Sequence, residues 1–135
     1  MKIVAFEGLD RSGKSTLRRA FAKATKEKYF TIDRFTTTSR VFNWWFNRET
    51  TEWSYFLTRF ETFLGADAVV VFIDTTPTVC RLRGAEYTIG ELNTQRQFFL
   101  NNLRELERKG IIVIYLNTKS VEENVEELIC QIESL

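Results

Sequence analysis

The sequence predicts an α/β fold: a short parallel sheet of about four strands held between two layers of helices. Three observations carry this. Short apolar runs alternate with longer segments whose apolar residues recur at helical spacing. Two of the runs, AVVVFID at 68–74 and IIVIYLN at 111–117, are apolar and β-branched without alternation, as strands covered on both faces are. A glycine-bearing turn, EGLDRSGKST at 7–16, joins the first run to the first helical segment. At 135 residues the chain has material for one core, so residues 1–135 are read as a single domain.

The elements follow in order. Lys2 to Glu7 reads as the first strand. Ser15 to Lys28 reads as a helix with Leu17, Ala20, Phe21 and Ala24 on one face. Lys28 to Asp33 is a second strand, and Thr36 to Asn47 a short helix. Thr51 to Leu64 sets Trp53, Phe56, Leu57, Phe60 and Leu64 at helical spacing. After the strand Ala68 to Asp74, the helix Glu91 to Lys109 stops at Arg108-Lys109-Gly110, cations followed by glycine. The strand Ile111 to Asn117 leads to a last helix, Ser120 to Ser134, opened by the capping box Ser120-x-x-Glu123.

Gly8 through Ser15 meets the pattern G-x-x-x-x-G-K-[S/T], with a strand before it and a helix after it. Backbone N–H groups in such a turn form a concave cradle for phosphate oxygens. The helix beginning near Lys14 directs its positive end at the same anion. Lys14 is placed to reach the β- and γ-phosphates, and Ser15 to offer its hydroxyl to Mg²⁺. Gly8, Asp10, Arg11, Ser12, Gly13, Lys14, Ser15 and Thr16 are therefore the candidate ATP-binding residues. Mg²⁺ needs a second hard oxygen, and two strand-ending carboxylates offer one, Asp33 and Asp74. Asp33, followed by Arg34, is the favoured metal ligand; a plain surface turn is the competing reading. Asp74 also stands where it would cap the helix led by Pro77.

The ordered set of motifs resembles the thymidylate kinase family. FEGLDRSGKST is similar to that family's first loop, Asp and Arg included. IDRF at 32–35 is similar to its Asp-Arg motif, ADAVVVFIDTTPTVCRLRG to its later strand and Pro-led helix, and YLNTKSVEENVEELICQI to its closing strand and helix. The resemblance implies a P-loop NTPase fold and transfer of the ATP γ-phosphoryl to a nucleoside monophosphate, thymidylate by likeness. It implies that Asp10 meets the acceptor sugar, that Arg11 faces the transferred group, and that Arg34 holds the acceptor phosphate. Arg11, Lys14, Asp33 and Arg34 become the candidate catalytic set. The family commonly forms dimers, which makes a homodimer an expectation.

The chain departs from the pattern in its middle. The segment that would carry the base-gripping groups, between the first helix and the Asp-Arg strand, is missing. Arg40, Trp44, Trp45 and Arg48 follow that strand and are read either as acceptor contacts or as core and partner contacts. The lid, Arg83 to Gly90, is short; Arg81 and Arg83 are read as lid cations or as solvated surface charge. With the base-gripping segment gone, another deoxynucleotide or a polynucleotide end is an alternative acceptor. A binding module without transfer is the other alternative.

Composition excludes several classes. A net charge of +1 argues against nucleic acid as the main partner. Histidine is absent, so no imidazole ligates a metal or acts as base. Two cysteines, Cys80 and Cys130, are too few for a disulfide scaffold and are expected as buried thiols. No membrane span or leader is legible, so a cytoplasmic protein is expected.

Overall fold

A computed structural model describes residues 2–135. Its strands are β1 (Ile3–Glu7), β2 (Phe30–Ile32), β3 (Ala68–Asp74) and β4 (Ile112–Asn117). Its α-helices are α1 (Lys14–Ala24), α2 (Thr36–Trp45), α3 (Thr51–Leu64), α4 (Pro77–Leu82), α5 (Ile89–Arg108) and α6 (Val121–Glu133). The strands form one sheet in the order β2-β1-β3-β4, every pair parallel. The chain leaves β1 for β2 on one side and returns for β3 on the other. A crevice therefore opens beyond the carboxyl ends of β1 and β3, where ligands of open α/β sheets sit.

β3 explains its own unbroken apolar run. Ala68, Val70 and Phe72 face one cluster with Leu92, Phe99, Leu103 and Leu106 of α5. Val69, Val71 and Ile73 face the other, with Leu17 and Phe21 of α1 and Val125, Leu128 and Ile132 of α6. Side chains alternate across a strand, so a strand covered on both faces must be apolar at every position. β4 differs from the same expectation. It lies at the sheet edge, and its Tyr115 and Asn117 are exposed. The Tyr115 hydroxyl donates to Glu107, and burial together with that bond pushes its pKa up to about 12.

Helix α1 ends at Ala24, four residues before the expected Lys28. Lys26 and Glu27 both adopt left-handed backbone (φ 52° and 56°), which a right-handed helix cannot include. The Thr25 hydroxyl donates to the carbonyls of Phe21 and Ala22 and closes the last turn. Helix α3 has the expected limits, but only Leu57 and Glu61 are buried on it. Trp53, Phe56, Phe60 and Phe63 stay exposed, because little of the chain packs across that stripe. The two cysteines also part company: Cys80 is buried and Cys130 is exposed on α6. No helix among the described residues is long and apolar enough to cross a membrane.

Candidate functional site

The turn between β1 and α1 is built for close approach. A Cβ on Gly8 would stand 2.4 Å from the Ser12 hydroxyl and 3.2 Å from the Ile73 carbonyl, so only glycine fits there. Gly13, at φ 97°, is the N-cap of α1 and occupies the left-handed region that glycine tolerates best. Arg11 takes the same region, at φ 63°, without being glycine. The Ser12 amide donates to the Leu9 carbonyl at 3.0 Å and tightens the turn.

Neighbouring elements grip the turn through the Ser12 carbonyl. It accepts from the Thr75 hydroxyl beyond β3 at 2.7 Å and from Arg83 at 3.2 Å. The Thr118 hydroxyl beyond β4 donates in turn to that of Thr75, at 3.1 Å. Arg83 also approaches the Arg11 carbonyl at 3.4 Å. Of the two readings for Arg83, the lid cation is therefore the one its geometry supports. Arg81 instead donates to the Ala85 carbonyl and stabilises the lid's own turn.

Two cavities meet at this turn. One, of about 510 Å³, is lined by Asp10 through Leu17, and by Arg34, Thr75, Arg83, Thr118, Lys119 and Asn124 among others. The second, of about 900 Å³, runs from the turn to α2, α3 and the lid. Its walls carry the aromatic rings of Phe42, Phe46, Trp53 and Tyr87 and the polar groups of Asn43, Arg48 and Glu86. Asp10, Arg11, Lys14 and Arg34 line both cavities.

At that junction the charges act on one another. Lys14 is partly withdrawn from water, which lowers its pKa; Arg34 beside it pushes the same way, while Glu7, Asp10 and Asp33 oppose them. Its ammonium lies 3.5 Å from the Gly8 carbonyl. Glu7, the last residue of β1, has no exposed surface. Burial raises its carboxyl to about pKa 7, against the bonds it accepts from Thr38 and Phe35 and the attraction of Lys14.

The expected residues thus take different places around the two cavities. Gly13, Ser15 and Thr16 line the first cavity, Gly8 the second, and Asp10, Arg11, Lys14 and Arg34 the junction. Ser12 lines the first cavity too, with its hydroxyl buried and unpartnered. Asp33 lies outside both linings, and its Oδ1 accepts from Arg18 Nε at 3.0 Å. Asp74 is held by both nitrogens of the Arg96 fork, each at 2.7 Å. Among the described residues Asp33 Oδ2 has no partner, whereas Asp74 has both oxygens engaged.

Four residues after the Asp-Arg strand had two readings each, and geometry sorts them. Arg40 binds the buried Glu61. Trp44 stacks on Phe98 at 3.4 Å between centroids, and Trp45 meets Tyr87 edge-on at 5.7 Å. These three are packing residues. Arg48 lines the second cavity, its guanidinium 5.0 Å from the centre of the Phe46 ring. Sequence reasoning passed over Glu7, Phe42, Phe46 and Tyr87. Glu7 did leave a signal, as a carboxylate closing an otherwise apolar strand; the rings left none, since aromatics at helical spacing normally read as core.

Comparison with known proteins supports the architecture. No protein-family model matches the chain, and no curated protein does. The solved structure of the YorR protein of Bacillus subtilis, in complex with phosphorylated GDP, is similar in fold, with a TM-score of 0.73 and 21% identity. The match covers 98% of this chain and 96% of that one. The chain is thus a three-layer α/β protein of P-loop type, with a four-stranded parallel sheet between helices.

Proposed function

We propose that the protein is an ATP-dependent phosphotransferase acting on a nucleoside monophosphate. The observation that carries this is the shared lining: one anion-binding turn opens into two cavities, and Asp10, Arg11, Lys14 and Arg34 face both. A protein that only bound ATP would have no use for a second cavity at the same cations. The donor triphosphate lies along the turn against the start of α1. The acceptor phosphate meets Arg34, its sugar meets Asp10, and its base lies among the rings of Phe42, Phe46, Trp53 and Tyr87.

In the transfer, an acceptor phosphate oxygen forms a bond to the γ-phosphorus as the bond to the β–γ bridging oxygen breaks. ADP leaves with that oxygen. Lys14 and Arg11 neutralise charge on the group in flight, and the walls supply position rather than covalent chemistry. Bound Mg²⁺ would add charge neutralisation on the donor phosphates. The residues fit such an ion: the Ser15 hydroxyl lines the donor cavity, and the free Oδ2 of Asp33 suits a ligand reached through water.

Thymidylate is the acceptor that the sequence resemblance suggests. A guanine nucleotide is the second reading, favoured by the phosphorylated GDP of the YorR complex. Purified protein with labelled ATP and Mg²⁺, offered each nucleoside monophosphate in turn, decides between them. Labelled diphosphate should form with one acceptor in marked preference. Tight ATP binding with transfer to no nucleoside monophosphate would leave the polynucleotide-end acceptor and the binding-module reading.

A further inference from the structure

Glu7 makes a connection that the proposed chemistry does not use. Its Oε1 accepts from the Phe35 amide at 3.0 Å and from the Thr38 hydroxyl at 2.5 Å. Its Oε2 accepts from the Thr38 amide at 2.7 Å. These donors form the N-terminus of α2, whose own N-cap residue, Phe35, has no side-chain acceptor. A helix normally caps itself with the residue at its start. Here the cap comes from another element, the residue directly before Gly8. We propose that Glu7 is a positioning residue: it straps the start of α2, and with it Arg34, to the phosphate turn, and so sets the spacing between donor and acceptor phosphates.

The sheet leaves this task to side chains. The β1–β2 ladder stops at the Ala5–Ile32 pair, so the sheet does not hold Asp33 or Arg34. Arg34 and Thr38, on the α2 side, line the acceptor cavity; so do Gly8 and Asp10, on the turn side. Among the described hydrogen bonds, those of Glu7 join the turn side to α2 itself, while Arg18 of α1 binds Asp33, the residue before Arg34. Burying a carboxylate is costly, and its bonds offset part of that cost. The arrangement also disfavours an amide. Donors address both oxygens, so a glutamine in the same pose would set its NH₂ against an N–H.

The inference rests on the transfer reading, and its test separates the two. Glu7→Gln should raise the acceptor KM about tenfold, the loss expected for one charge-assisted hydrogen bond, and move the ATP KM by less than about twofold. Glu7 also faces Lys14, so a rival account has its charge acting through that lysine. Thr38→Val decides, because it removes one strap bond and no charge. It should raise the acceptor KM by a smaller factor, and that effect should vanish in the Glu7→Gln background. A silent Thr38→Val, an additive double variant, or equal changes in both KM values would overturn the proposal. Should Glu7→Gln not fold, amide exchange in Thr38→Val replaces it: exchange at Phe35 should quicken and that at Leu17, in α1, should not. Unchanged exchange at Phe35 would also overturn the strap. Amide exchange needs no turnover, so a wild-type protein without transfer would defeat the transfer reading and still leave the strap tested.

Discussion

The two cavities, proposed for donor and acceptor, meet at Lys14 but are made differently. One wall of the donor side is a run of consecutive residues, Asp10 to Leu17, whose shape comes from backbone and from Gly13; the facing wall comes from the ends of β3 and β4, the lid and α6. The acceptor side is assembled from side chains of the turn, α2, α3 and the lid. A site made of backbone depends on its own short sequence. A site made of side chains depends on whatever fixes four separate segments relative to one another. The first should be robust in shape and sensitive in chemistry; the second should be sensitive to packing far from any ligand.

Lys14→Ala tests the donor side most severely. Turnover should fall by about 10³-fold or more, the scale seen when a cation on a transferred phosphoryl group is lost. Thermal melting should hardly change, and the acceptor should still shift it. A large loss of stability would mean that the turn too is held by its side chains.

Glu61→Ala tests the acceptor side. Glu61 is fully buried, bound by Arg40 through two nitrogens, by Lys109 at 2.7 Å and by Thr36. Burial alone would raise its pKa, and these bonds more than reverse that, leaving it below the usual carboxylate range. Removing it would leave Arg40 and Lys109 facing an empty site where α2, α3 and α5 converge. Denaturant unfolding should report a loss of about 3–5 kcal/mol. A loss below about 1 kcal/mol would show that the acceptor walls stand without this hub.

Glu7 gives the opposite pH signature. Its folded pKa, about 7, lies above its ordinary 4.5, so its contribution is best below pH 4.5, where it is protonated both folded and unfolded. Between pH 4.5 and 7 the unfolded chain releases the proton first, and stability should fall by on the order of 3 kcal/mol from this group. Denaturant midpoints across that range would show the slope, and Glu7→Gln should flatten it. A slope that survives the substitution assigns it to another group.

Trp53→Ala is the mildest test. Loss of one stacking ring should weaken acceptor binding by about 1–3 kcal/mol and leave ATP binding alone. Titration of each nucleotide separately would check it. An equal effect on both nucleotides would break the division between the two sides.

This difference in construction also decides what the sequence could tell. The turn that carries Gly8, Gly13, Lys14 and Ser15 was legible because its shape is local: the spacing itself is the structure. β3 was legible to the residue because burial on both faces demands an apolar residue at every position. The acceptor walls were not, because Phe42, Phe46 and Trp53 carry the same helical spacing as core residues. Only the absence of a layer over α3 leaves Trp53 and Phe56 exposed, and no local pattern encodes that. Arg40 was ambiguous for a related reason: its partner Glu61 lies 21 residues away on another helix. The engagement of Asp33 by Arg18 was equally hidden, since it depends on where α1 passes the end of β2.

Arg11 carries a last consequence. An arginine at φ 63° holds a backbone shape that costs an L-residue on the order of 1 kcal/mol and that glycine adopts freely. Heat resistance and turnover should therefore pull this position in opposite directions. A library screened only for survival on warming should drift to glycine at residue 11 and lose the guanidinium proposed to act on the transferred group, while one screened for product should keep the tension.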